Sequence, residues 1–487
     1  LAGAEGFVKR ATIIGEVVKQ YFPQIKTVVG NSSGSSELIA ILLRNGLNPD
    51  YIDYMGIETP AQTGLPEKLW TGGPQSAWIC QETSKAIIGK KLPVTACYEY
   101  TCRGERVLGR LGGAQYQTRD ILLSLSYEMQ HIGGGGIEPA GNAYWQTLWG
   151  DGSYCRRNPL LYPKMGYQAV ATLTKALDKV KLLRKLDSGV LSNYILEFRR
   201  NRKQADFAYA LWTPRAECEV ELTFPKGTNV ESVSFFGESE KMQLNDGKLK
   251  LVMGPSPRYL ITDQTAESVK TVRHITEDIE KLYGGKFTVA EALDDPAKIE
   301  LFNDYGLQNP DGDMPMQVAG DFKMRQVKDE EKGNAVELEL ITEQKLPQAV
   351  GEYVTMRFKN PVEVAGEPHT MGVWVKGNSG WGFVVFEFTD AEGEVYRTYA
   401  GYHDWPGQLS INFDGWHFIA YPITHESPIK NWFTPQSGGG NRKVDYPIKL
   451  NALYLSQMRW ALDPSEMKPV SPVVRFRDLG TIESVKK

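Results

Sequence analysis

Along the first 180 or so residues the apolar positions recur by turns at helix spacing and in short strand-like runs, and beyond Leu191 at strand spacing alone. Phe7, Ala11, Ile14, Val18 and Tyr21 share one helix face, which predicts a helix over Gly6 to Phe22 that Pro23 stops. Ile25 to Val29 is a short strand, followed by the run Gly30 to Ser36, whose serines suit the cap of a helix from Glu37 to Arg44. Asn45-Gly46 ends that helix, and Tyr51 to Ile57 is a second strand closed by Glu58. A helix over Ser76 to Ile88 with Gly89 as its cap leads to a third strand, Pro93 to Cys97. Gln115 to Gln130 is a further helix, with Ile121, Leu122, Leu125 and Met129 on one side, and it delivers a fourth strand-like segment, His131 to Ile137. After the loop Glu138 to Tyr162, Tyr167, Val170, Leu173 and Leu177 mark a closing helix.

Four such alternations predict a parallel α/β unit over residues 1–180, equal to half of an eight-stranded barrel. Half a barrel leaves open sheet edges and exposed apolar helix faces, so it needs a complement. Residues 181–263 read as a small antiparallel β-sandwich, with Asn245-Asp-Gly247 as a hairpin signal. Residues 264–305 are charged and read as a connector, and 306–487 as a β-rich jelly roll. The fold class expected is α/β plus all-β: a partial (β/α)8 barrel, a sandwich and a jelly roll.

Composition narrows the function classes. Lys plus Arg number 55 against 59 Asp plus Glu, a net charge of -4, which favours neither nucleic acid nor an anionic membrane as partner. No apolar run reaches the length that spans a bilayer. The five cysteines, Cys80, Cys97, Cys102, Cys155 and Cys218, are odd in number and form no CxxC pair, which fits neither a disulfide framework nor zinc. The 11 Trp and 23 Tyr supply flat apolar faces of the kind sugar rings stack on. The four-glycine run from Gly133 lacks the GxGxxG spacing, so it does not indicate a nucleotide site.

The chemistry concentrates in Pro93 to Arg103. A strand buried on both faces carries no charge along its length, so its first charge appears where it leaves the sheet. Here that charge is Glu99, flanked by Tyr98 and Tyr100 and followed by Arg103. An acidic residue just past the C-terminal end of a barrel strand reads as catalytic. The alternative is a structural salt bridge of Glu99 with Arg103 or Arg106.

Tyr21 to Gly30, Pro49 to Tyr54, Pro93 to Glu99 and the stretch from Trp145 to Pro163 together resemble strands five to eight of a retaining glycosidase barrel of glycoside hydrolase clan A, similar to families 39 and 5. The resemblance implies that Glu99, after strand seven, is the nucleophile, that a β-sandwich follows the barrel, and that the C-terminal region resembles a carbohydrate-binding jelly roll. It also implies an acid/base glutamate in an Asn-Glu pair ahead of the first helix. No such pair occurs there, and Glu5 is the sole candidate in the chain. The chain opens Leu1-Ala-Gly, so the expectation is an acid/base residue upstream of Leu1, on a polypeptide that bears strands one to four.

Retaining chemistry needs two carboxyl groups about 5–5.5 Å apart, one attacking and one protonating the leaving oxygen. Glu58, ending the strand before that of Glu99, would bind sugar hydroxyls or replace the missing acid, unless it is simply solvated. Trp145 and Trp149 suit a sugar subsite or loop packing. Tyr54 and Tyr98 suit hydrogen bonds to the nucleophile or a core role, Arg103 and Asn31 suit substrate contacts, and His131 reads as structural. Asn309-Pro-Asp-Gly-Asp313 offers oxygen ligands for a structural calcium, or is a plain turn; no other cofactor is expected. Trp374, Trp381, Trp405, Trp416 and Trp432 are mostly core, with one or more left for a sugar platform. The expected function is a secreted or periplasmic retaining glycoside hydrolase; the alternative is a non-catalytic carbohydrate-binding or scaffold protein.

Overall fold

The computed structural model describes residues 2–33, 36–58, 65–67, 75–97, 104–129, 132–133, 155–156, 162–200, 206–303, 317–342, 351–398, 409–423, 433–435, 441, 443–462 and 467–484. Helices α1 (Ala2–Tyr21), α2 (Ser36–Arg44), α3 (Gln75–Ile88), α4 (Gly104–Ser126) and α5 (Met165–Ala176) alternate with strands β1 (Val28–Ser33), β2 (Tyr54–Glu58), β3 (Val94–Cys97) and β4 (Ile132–Gly133). The strands form one parallel sheet in the order β1-β2-β3-β4. Met55, Ile57 and Val94 are buried in one cluster with Ile39, Leu43, Ala77, Leu122 and Leu123 of the helices. That is the all-apolar strand pattern of a sheet covered by helices.

Helix α1 buries only part of the face its spacing suggests. Ala11 packs inward with Val8 and Gly15, against α2 and the turn that carries Tyr51 and Ile52, whereas Phe7, Ile14 and Tyr21 are 40%, 60% and 64% exposed. The reason is close approach: a Cβ on Gly15 would stand 2.4 Å from Cβ of Tyr51, so only the smallest side chain lets the helix settle there. The larger apolar stripe is left outward, beside β1, which is the edge of the sheet among the described residues.

Strand β1 also runs further than expected, through the Gly-Ser run to Ser33. Its register shifts between Gly30 and Ser32. Gly30 has φ +104, and a Cβ there would lie 2.8 Å from the Gly56 carbonyl oxygen, so this crossing is open to glycine alone. Helix α4 starts eleven residues before the expected Gln115 and is broken at Gly109, with φ 73 and ψ 173.

The middle of the chain forms two sheets. Six strands take the order Ser239–Met242, Val230–Val233, Arg258–Thr262, Phe207–Trp212, Tyr194–Arg200, Val180–Lys185; three more take the order Lys248–Met253, Cys218–Thr223, Ser268–His274. Alternation along the central strands sends Ile195, Tyr209 and Leu211 to the core shared with Val220 and Leu222. It sends Leu196, Ala208 and Trp212 the other way, against Leu122, Leu123 and Leu173 of α4 and α5. The sandwich is therefore bolted to the α/β part by a continuous apolar layer.

The charged stretch 264–305 is built into its neighbours. Ser268–His274 is an edge strand of the middle sandwich, Gly285–Glu291 pairs with Val473–Ser484, and Ile299–Phe302 pairs with Gly351–Glu363. Exposed alternate residues on outer strands explain why it carries so much charge without being a linker. Apart from two isolated strand pairs, the remaining strands form a six-stranded and an eight-stranded sheet, packed face to face around Val336, Leu338, Val373, Val354, Met356, Val384 and Phe386. Val473–Ser484 lies inside the first of these, paired with Gly285–Glu291, Gly333–Leu340 and Thr370–Asn378.

Candidate active site and sugar-binding face

The parallel sheet brings its strand ends to a common edge. Ser33 is in register with Glu58, Glu58 with Cys97, and Cys97 with Gly133. Met55 and Ile57 are buried, and the first carboxylate of β2 comes where the chain leaves the helix layer. Glu99 follows the last residue of β3 by two positions. Asn31 and Glu58 have their backbones in β1 and β2, while their side chains lie outside the described set. Glu99, Tyr98, Arg103, Trp145 and Trp149 lie outside the described residues, as do His131 and Asn309 to Asp313. Tyr54 is described and does not join this edge: it opens β2, four residues before Glu58, which is about 13 Å away at strand rise.

Beyond Glu58 the chain is held at Glu67 by residues that sequence reasoning missed. Glu67 is buried, with Oε1 accepting from Trp212 Nε1 at 2.8 Å and lying 2.8 Å from Arg119 Nε. Arg119 Nη1 also donates to the Pro214 carbonyl at 3.2 Å. Beside Arg119 on α4, Asp120 is wholly buried, and neither carboxyl oxygen has a hydrogen-bond partner among the described residues. Burial, and then the nearby Glu67 charge, push its pKa well above the carboxylate range. The only hint in the sequence is the polar run Gln117-Thr-Arg-Asp120, which spacing alone assigns to solvent, just ahead of the apolar Ile121, Leu122 and Leu123.

A second polar site lies on the eight-stranded sheet, where Glu387, Tyr454 and Thr355 are buried. Glu387 Oε2 accepts from Arg397 Nε and from Tyr454 Oη, each at 2.7 Å, and Arg357 Nη2 stands 3.7 Å from Oε1. The Arg357 guanidinium lies over the Phe302 ring at 4.5 Å and that of Arg397 over Tyr454 at 4.8 Å. Register explains the grouping, because Glu300, Arg357, Ala452, Glu387 and Arg397 form one row across five strands. Buried Thr355 on the same face has a hydroxyl with no partner among the described residues. Among Arg357, Glu387, Arg397 and Tyr454, Arg357 is the group solvent reaches most, with its side chain 42% exposed, while Glu387 and Tyr454 are buried beneath the guanidinium groups.

The tryptophans sort differently. Trp374 and Trp416 are core, and Trp416 donates to Asp329 at 2.9 Å. Trp381 packs on Leu65 and Tyr116. Trp405 and Trp432 lie outside the described residues. No described helix is long and apolar enough to cross a membrane.

No family model matches the chain, and no curated protein matches it. Among solved structures it is similar to a family 39 glycoside hydrolase from Bacteroides cellulosilyticus WH2, at 15% identity and TM-score 0.37, over 53% of this chain and 62% of that one. A family 44 endoglucanase from Clostridium acetobutylium ATCC 824 matches at 10% identity and TM-score 0.36, over 53% of this chain and 60% of the other. The family 11 carbohydrate-binding module of a cellulosomal cellulase from Clostridium thermocellum matches at 9% identity and TM-score 0.24, over 42% of this chain and 98% of the module. The chain thus spans less than two thirds of the length of either hydrolase.

Proposed function

We propose that the chain is the nucleophile-bearing part of a retaining glycoside hydrolase acting on oligo- or polysaccharides, with Glu99 as nucleophile and Glu58 as the second carboxyl group. The observation that supports this reading is the backbone register of Glu58, the last residue of β2, with Cys97, which stands two positions before Glu99 in the sequence. In the retaining reaction a Glu99 oxygen bonds to the anomeric carbon as the glycosidic C–O bond breaks, and the leaving oxygen takes its proton from the second carboxyl group. Water then releases the sugar, giving its proton back to that group. Asn31, Tyr98, Arg103, Trp145 and Trp149 are assigned to the substrate.

The open edge at β1 and the outward apolar stripe of α1 support a second polypeptide that completes the barrel wall. Where that polypeptide brings its own acid, Glu58 is left to bind sugar hydroxyls. A substrate drawn from extracellular polysaccharide suits a secreted or periplasmic setting, the localisation that goes with this reading. The second reading, a carbohydrate-binding protein without catalysis, is favoured by the Arg357–Glu387–Arg397 face, which needs no acid/base pair to work.

The deciding experiment is turnover of an activated aryl glycoside by the purified material, with whatever co-purifies, against Glu99→Gln. Turnover lost on the order of 10³-fold or more with an unchanged far-UV spectrum supports the nucleophile assignment. Undiminished turnover removes it, and sugar binding without any turnover in the native material selects the second reading.

A further inference from the structure

Seven residues beyond Glu58, the short segment Leu65-Pro66-Glu67 is gripped by three separate parts of the molecule. Helix α4 supplies Tyr116 and Arg119, the middle sandwich supplies Trp212, and the C-terminal sandwich supplies Trp381. Leu65 and Tyr116 are buried together with the Trp381 ring packed on them. An appended binding module on a tether has no reason to reach back to a loop of the α/β part. This one does so through an unusual backbone.

Trp381 has φ +59 and Ser379 has φ +55, both in the left-handed region that a bulky side chain rarely adopts. Such conformations persist where their surroundings over-determine them. Here the surroundings do. Asn378 Nδ2 donates to the Ser471 carbonyl at 2.7 Å, and its Oδ1 accepts the Gly380 N–H at 3.0 Å. The Ser379 hydroxyl donates to Asp414 Oδ1 at 2.8 Å and lies 2.7 Å from the Ser192 hydroxyl of the middle sandwich. The Ser379 and Trp381 N–H groups donate to the Phe413 and Ile411 carbonyls. A Cβ on Gly380 would come within 2.6 Å of Val470, so the turn has one shape available to it. Plain packing between domains would be met by an apolar contact on relaxed backbone; a turn fixed on every side and aimed at one segment indicates that the position of that segment matters.

We infer that Trp381 is a positioning residue: the C-terminal sandwich reaches across to hold Leu65 to Glu67, the described segment that comes next after Glu58 in the chain. The inference rests on the proposed site at this strand edge, and it makes the C-terminal sandwich part of the catalytic unit. It adds a requirement that the sugar-binding face does not: separating that sandwich from the α/β part loosens the segment even when no sugar is bound.

Two measurements on the full chain, with its co-purifying material, test it. Hydrogen–deuterium exchange is followed in the peptide that carries Leu65 to Glu67, in wild type, Trp381→Ala and Trp381→Phe. Exchange there is expected to speed up about tenfold or more in Trp381→Ala, with the Gly382–Thr389 strand unchanged, and to return most of the way in Trp381→Phe. Unchanged exchange at Leu65 to Glu67 overturns the clamp. If Trp381→Ala speeds exchange everywhere, Leu65→Ala makes the same cut from the other side, and local acceleration there supports the clamp while none overturns it. On an activated glycoside, a fall in kcat of about tenfold at little-changed KM supports positioning, and an unchanged kcat with loosened exchange overturns it. A wild type without glycosidase activity would remove the proposed function and leave the exchange measurement to decide the clamp on its own.

Discussion

His417 and Glu277 meet in the seam between the middle and C-terminal sandwiches, Nδ1 of the imidazole 2.6 Å from Oε2 of the carboxylate. The other Glu277 oxygen accepts the Phe418 N–H at 2.6 Å. Arg215 faces the same spot, donating to the Ser410 and Phe418 carbonyls. Burial holds the His417 pKa below its usual 6.5, with the Arg215 charge adding to the effect and the Glu277 contact opposing it. Burial works against the Glu277 charge, yet the His417 contact and the Phe418 N–H bring its pKa below 4.5.

Both shifts have the same sign for stability. The unfolded chain takes up protons at these groups before the folded one does, so stability is full above about pH 6.5 and is lost on acidification, through His417 first and Glu277 below about pH 4.5. The share of the melting temperature that this pair supplies should be level from pH 7 upward and shrink below pH 6.5. In His417→Gln the fall between pH 6.5 and 5 should flatten, and an identical slope in the variant would contradict the assignment.

Asp120 carries the opposite sign. Its folded pKa lies above the ordinary 3.8, so the unfolded chain releases that proton first and stability drains away as pH rises from about 4 through the folded value. Asp120→Asn copies the protonated shape without that penalty. It should raise the melting temperature at pH 7 by a few degrees and raise it less at pH 4, where a constant gain would show the charge to be irrelevant.

The outward stripe of α1 predicts a separation of stability from assembly. Ile14→Lys changes an exposed side chain, and its effect on folding should stay within about 0.5 kcal/mol. If the stripe docks a second polypeptide, the variant should lose that polypeptide on size exclusion followed by mass spectrometry. Native material that runs as a lone chain would remove the partner from the proposal.

On the eight-stranded sheet, Arg397→Ala removes both a donor to Glu387 and the cation over Tyr454. Calorimetric titration against a panel of soluble oligosaccharides should show that any binding by wild type is weakened by about tenfold or more. A variant on the other sheet, Lys323→Ala, should bind as wild type does. Equal losses in both would indicate general destabilisation in place of a site.

The alternation of helix and strand over the first 180 residues was legible because two covered layers impose two different periods on one chain. The inward face of α1 was not, since spacing finds an apolar stripe without saying which stripe packs, and Gly15 against Tyr51 decides it. The edge strand Ser268–His274 looked like a linker because half its residues meet solvent. Glu67, Arg119 and Trp212 lie far apart in the chain and become neighbours only when the sandwich docks on α4, so no local pattern marks them. Trp381 sits on a conformation that its residue type disfavours, and propensity argues against the very geometry that makes it useful.

The pairing of Gly285 with Ser484 has a consequence for how the protein is made. A ribosome that has finished Gly285–Glu291 must add about 190 further residues before the partner strand emerges, and until then the sheet has a gap at its centre. Closure over so long a span is slow, and the waiting intermediate offers bare strand edges to its neighbours. Yield in a heterologous host should therefore depend on translation speed and holding chaperones more steeply than the thermal stability of the finished protein would suggest.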